Sequence, residues 1–138
     1  MNDRYLYRAK RKNWRELPKE MWWVEGYLYG IWERRYILWG MTNDVPNMVE
    51  VDQSTISQCS GAYDKNRKTI FEKDIVRNED GFIGITEYGT YAHYHIGFYV
   101  RWLNKEADYY RNELGYWADE VEVIGSALDN PELLEVGE

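Results

Sequence analysis

Apolar and polar residues alternate along most of this chain, and a period of two predicts strands, whose side chains point to opposite faces in turn. Tyr5-Leu6-Tyr7-Arg8 reads as a short strand. Residues 22–29, WWVEGYLY, and 35–39, RYILW, are aromatic and β-branched runs. Gly30 lies between them and Gly40 after, which predicts a hairpin. Asn43, Asp44 and Pro46 mark 41–47 as a turn or loop. Met48 to Val51 is a further short strand. Residues 52–62 are small and polar, the pattern of a connector or an edge strand. There the chain is divided into an N-terminal β region, 1–51, and a second region, 52–138.

Asp64-Lys65-Asn66-Arg67 reads as a turn, because aspartate can bond its own backbone and asparagine tolerates a left-handed conformation. Ile70-Phe71 and Ile75-Val76-Arg77 follow as strands, with Asp74 at the start of the second. A turn at Glu79-Asp80-Gly81 leads into alternation over Phe82 to Tyr88. After a loop around Gly89, Tyr94 to Trp102 alternates again: Ile96, Phe98, Val100 and Trp102 share one face. His95, Gly97, Tyr99 and Arg101 share the other. Residues 103–116 admit two readings. Leu103, Ala107, Tyr110 and Leu114 keep helical spacing with Gly115 as a stop, or the segment is a loop with one helical turn. Val121 to Ile124 is a closing strand. Pro131 opens a short helical turn behind Asn130 as its cap. Short strands with turns at close intervals make an all-β chain, with one short helix at most.

Composition adds an aromatic excess. Aromatics make up 17% of the 138 residues, with seven Trp and thirteen Tyr against three Phe. Trp and Tyr suit half-buried pleated surfaces and interfaces. With eleven glycines and a mean hydropathy of -0.71, this is the profile of a twisted β protein with a thin core. The single cysteine, Cys59, rules out an intramolecular disulfide framework and fits a reducing cytoplasm. No signal-like leader and no spanning apolar run is present, so a soluble cytosolic protein without a membrane partner is expected.

Charge is unevenly spread. Residues 1–20 hold seven Lys/Arg against three Asp/Glu, and residues 111–138 hold one against eight. A basic head and an acidic tail can attract each other within a chain or between subunits. The overall charge of -7 argues against sequence-independent binding to nucleic acid, which relies on counterion release around basic groups. A nucleic-acid-binding module using Arg8, Arg11 and Lys12 is kept as an alternative.

Three blocks, in order, resemble the YopX family of bacteriophage and prophage proteins. They are Tyr7-Arg8-Ala9-Lys10, similar to the family's Phe-Arg-Ala-Trp; Gly61 through Val76; and Glu122 through Gly125 followed by Asn130 through Leu134. In the middle block, Arg67 and Lys73 stand where the family has glycine. Either the turn differs here, or Asn66 carries the left-handed position. Ser60 stands in for the family's Thr, and Lys10 for its Trp. The resemblance implies a mainly β fold, a small SH3-like barrel in the C-terminal part packed with an N-terminal β region. It also implies a phage or prophage origin and homo-oligomers, with no catalytic residues and no cofactor.

Candidate chemistry is sparse. On a strand, His93 and His95 would share a face as metal-ligand positions, the basis of a metal-dependent enzyme as a further alternative. Two surface histidines is the plainer reading. Cys59 has no base beside it in sequence and reads as a small apolar residue on a half-buried edge. Asp64, Asn66 and Asp74 read as structural, setting a turn and the start of a strand. Tyr27, Tyr29, Tyr91, Tyr94, Tyr99 and Trp102 can supply an aromatic groove, and Tyr91, Tyr99 and Trp102 are the candidate interaction residues. Such rings stack on proline-rich peptide, sugar or bases, or serve a core or subunit interface. The expected protein is a non-enzymatic module that self-associates and binds a phage or host protein.

Overall fold

A computed structural model of the chain describes residues 5–135; the outermost residues of the basic head and of the acidic tail lie outside that range. The chain forms two compact units that divide between Cys59 and Ser60. The division is later than position 51 and falls inside a strand rather than in a linker.

The first unit holds β1 (Tyr7–Lys10), β2 (Trp23–Ile31), β3 (Arg34–Thr42) and β4 (Val45–Glu50), with the opening residues of β5 (Ser57–Tyr63). Their order across the sheet is β4-β3-β2-β1-β5, and the pairs are antiparallel. Ala9, Val24, Ile37 and Val51 form its core, with Tyr7, Leu28, Val49 and Ile56 packed on them. The predicted hairpin is present, but its turn is at Trp32-Glu33, and Gly30 lies within β2, opposite Arg35. Trp32 takes a left-handed φ of 53°, a conformation that glycine normally supplies. Residues 41–47 are not a loop. Strands run through to Asn43 and Asp44, whose φ values of 50° and 65° make a two-residue turn suited to these side chains. Pro46 is accommodated because β4 is an edge strand. Gly26 is required sterically, since a Cβ there would run into the Leu38 carbonyl.

The second unit takes the rest of β5, then β6 (Thr69–Phe71), β7 (Asp74–Arg77), β8 (Ile83–Tyr91), β9 (His95–Trp102), the one-turn helix α1 (Leu114–Trp117) and β10 (Glu122–Ser126). Four of these strands form an antiparallel sheet in the order β10-β7-β8-β9. Ile70, Val76, Val100, Leu114, Trp117, Ala118 and Val121 make its core. The chain is mainly β as expected, but the four-stranded order is open, so a closed barrel does not follow from the pairing.

The helical reading of 103–116 is corrected: only Leu114–Trp117 is α-helical. The backbone before it is engaged elsewhere. Asn104 accepts from the Ile83 amide at 2.7 Å, the Val100 amide donates to Asn112 at 2.8 Å, and Glu113 bridges to Tyr99. Pro131–Leu134 is a 3₁₀ turn. Asn130 does not cap it; the Asn130 side chain accepts from the Ser126 amide at 3.1 Å, closing the preceding turn. Among the described residues no helix is long and apolar enough to cross a membrane.

Candidate interaction site

The hairpin of β8 and β9 carries the most organised display of aromatic side chains. Its register pairs Tyr91 with His95, Gly89 with Gly97, Glu87 with Tyr99, and Ile85 with Arg101. Alternation places all eight on one face. The paired glycines contribute no side chain between the rings on either side of them. The Tyr91 ring stacks on Tyr99 at 5.1 Å between centroids and 26° between planes, and on His95 at 5.2 Å and 28°.

The next row fixes polarity. Arg101 grips Glu87 with two bonds, Nε to Oε1 at 3.0 Å and Nη2 to Oε2 at 2.9 Å, and the Tyr99 hydroxyl donates to Oε1 at 2.9 Å. A bidentate guanidinium fork favours the ionised carboxylate. The Arg101 bond, chiefly, holds Glu87 below the usual carboxylate range, with burial opposing and Tyr99 assisting. Burial, then the bond to Glu87, pushes Tyr99 above its ordinary value. Tyr99 is thereby a fixed, neutral ring.

Tyr91, Tyr99, Arg101 and Trp102 line one groove of about 300 Å³ with Tyr109 and Asn112. All three candidate interaction residues therefore lie along it. Their roles differ. Trp102 points to the other face of β9 and packs edge-on to Trp117 at 5.0 Å and Tyr109 at 5.2 Å, so it is part of the wall. Its buried indole nitrogen has no hydrogen-bond partner among the described residues.

Tyr109 was not singled out in the sequence. Its hydroxyl accepts from Asn78 and donates to Asp80, both at 2.7 Å. These partners sit about thirty positions upstream, beyond the reach of any local pattern. Tyr94 lies in the β8–β9 connection, fully outward, whereas Tyr27 and Tyr29 belong to the exposed face of the first unit. They are not part of this groove.

Asp64 and Asp74 both bond backbone amides. Asp64 Oδ1 accepts from the amides of Asn66 and Lys68, and Oδ2 from the amide of Val123, each at 2.8 Å. Buried Asp74 accepts from the Phe71 amide at 2.8 Å. The two readings of the missing glycines are both corrected: Arg67 and Lys73 themselves take φ values of 68° and 73°, while Asn66 does not. Cys59 is fully buried.

His93 and His95 do not share a strand face. His93 lies in the connection with a φ of 71°, and His95 begins β9. No group of three metal-ligating side chains occurs among the described residues.

Several cations of the described part of the basic head lie against tryptophan rings. Lys10, only 2% exposed, holds its ammonium 3.8 Å from the Trp14 ring centre, 4.4 Å from Trp22 and 5.4 Å from Trp23. Arg8 lies over Trp23 and Arg15 over Trp14. Arg11 donates to the Met21 carbonyl, and Lys12 pairs with Glu50 at 3.2 Å.

Chemically, the groove offers flat rings beside an ion pair that is closed within the chain. The family model described as YopX protein matches residues 7–135. Among curated proteins none matches the chain.

Proposed function

The chain belongs to the YopX family, and from that premise we propose that it is a non-enzymatic protein-interaction module of a phage or prophage. It acts in the cytoplasm of the bacterial host, self-associates, and holds an extended segment of another phage or host protein in the groove of the second unit. The observation that carries this reading is the row formed by Tyr91, Tyr99 and Arg101. Its rings are stacked, its one ion pair is satisfied internally, and its groove is open along the sheet. Such a surface supplies area at low entropic cost, since each ring has two rotatable bonds. It makes no demand for a charged ligand.

The test is a pull-down from infected or prophage-induced cells, run in parallel with wild type, Tyr91→Ala, Tyr99→Ala and, as a control in the other unit, Trp32→Ala. The expected result is one captured protein that is lost with both tyrosine variants and kept with Trp32→Ala. Retention by both tyrosine variants rejects the groove. Light scattering of the purified protein tests self-association, which fails if the mass stays monomeric at every concentration.

A further inference from the structure

We infer that the tip of the β8–β9 hairpin, Thr90 to Ile96, is a flap that hinges at the Gly89–Gly97 pair and is latched by Tyr91 on Tyr99. The inference rests on the groove as a binding site and supplies its means of opening and closing.

Gly89 and Gly97 stand directly opposite each other in the ladder. Their φ values are 158° and 157°, a backbone conformation that glycine alone adopts freely. Space does not demand glycine here, since a Cβ at either position would meet no atom within 4 Å. The backbone conformation does. Both strands therefore lack a side chain at one level of the ribbon, and no packing across that row stiffens it. Hinges are a few residues of this kind, which absorb the backbone rotation when an element closes.

Beyond the hinge, Thr90 and every residue from Ala92 to Ile96 are exposed, and Tyr91 alone is half-buried. Among the described residues no side-chain hydrogen bond joins 90–96 to another segment, and the ring contact that does so is Tyr91 on Tyr99. The Tyr91 ring also stacks on His95 at 5.2 Å. That second contact ties the two strands of the tip together, so they move as one body.

The latch holds a bend. Tyr91 opposes His95, and Tyr99 follows four residues later in β9, about 13 Å further along a straight strand. The ring centres of Tyr91 and Tyr99 are nevertheless only 5.1 Å apart. The ribbon bends at the glycine row to bring the tip down on Tyr99. Both rings line the groove. With the tip lowered, Tyr91 is part of the groove wall; with the tip raised, the face of the Tyr99 ring is bare. An extended segment enters past the raised tip and is held when Tyr91 returns.

Relaxation dispersion at backbone amides of the free protein, for wild type, Tyr91→Ala and Tyr94→Ala, tests the inference. Tyr94 is the control, an exposed ring of the tip outside the latch. The amides of 90–96 are expected to share one exchange process on the microsecond-to-millisecond scale, while those of Glu87 and Arg101 stay flat. Tyr91→Ala should raise the open population about three- to tenfold, as loss of one ring pair implies, and Tyr94→Ala should match wild type. Exchange that grades outward from the turn, with no step at Gly89 and Gly97, is fraying and overturns the hinge. Equal populations in Tyr91→Ala and Tyr94→Ala overturn the latch. Flat profiles over 90–96 in Tyr91→Ala, with wild-type chemical shifts there, overturn the flap altogether. The free chain needs no partner, so failure of the flap and failure of the groove in the pull-down are separate results.

Discussion

Asp64 accepts a hydrogen bond from the amide of Val123, 59 residues further along the chain, at 2.8 Å. The same carboxylate closes its own turn through Asn66 and Lys68, so one buried side chain joins a local turn to the strand β10. Bonds to a charged acceptor are stronger than neutral ones, and three partly buried amides lose their partner together when it is removed. Asp64→Ala is expected to lower the unfolding free energy by about 3 kcal/mol, measured by urea titration, with Asp64→Asn in between. A loss under about 1 kcal/mol would show that water replaces the carboxylate without penalty.

Arg67 and Lys73 sit in left-handed backbone at φ 68° and 73°. A side chain there costs about 1–2 kcal/mol relative to glycine, and glycine returns part of that gain as unfolded-state entropy. Arg67→Gly and Lys73→Gly are each expected to raise stability by about 0.5–1 kcal/mol, and two thermal melts against wild type check it. A lower melting temperature in both would mean that the side chains hold these turns by contacts stronger than the strain.

Lys10 is the buried cation among Trp14, Trp22 and Trp23. A desolvated cation–π contact contributes roughly 2 kcal/mol, and Lys10→Met keeps the aliphatic stem while removing the ammonium. The expected cost is about 2 kcal/mol, accompanied by a change in near-ultraviolet circular dichroism from the tryptophans. Unchanged stability in this variant would make the cage a matter of packing alone.

Glu87 has a depressed folded pKa and Tyr99 a raised one. A depressed carboxylate adds stability above its unfolded value, near about 4.3, which is lost as pH falls through the folded value. A raised tyrosine adds stability below its unfolded value, near about 10, which is lost as pH rises through the folded value. Glu87→Gln should flatten the acid side of a melting-temperature profile, and Tyr99→Phe the alkaline side. Both groups are partly open to solvent, so the slopes are small. An acid limb as steep in Glu87→Gln as in wild type would assign it to other carboxylates.

The alternating segments announced themselves because each has one face turned to a core. Ile96 to Trp102 gave β9, and Tyr91, Tyr99 and Trp102 came out along one groove. The turns were less legible. Nothing in the type of Trp32, Arg67 or Lys73 signals a left-handed residue, because the surrounding pairs impose it: Ile31 opposite Arg34 for the first. The stretch 103–113 carries helical spacing, yet Asn104 and Asn112 are held by β8 and β9, and tertiary bonds override the local pattern. Tyr109 and Val123 work through partners so distant in sequence that no spacing rule reaches them.

The division inside β5 has a consequence for synthesis on the ribosome. Every strand neighbour of β1 to β4 precedes Ser60, so the first unit can finish its pairing while the second is still being made. The second has no such early completion. β7 needs β10, and the Asp64 turn needs Val123, so both wait until nearly the whole chain has emerged. A nascent chain stalled between these points would present a finished sheet followed by an unfinished one. That window is where a chaperone or a second nascent copy would meet it.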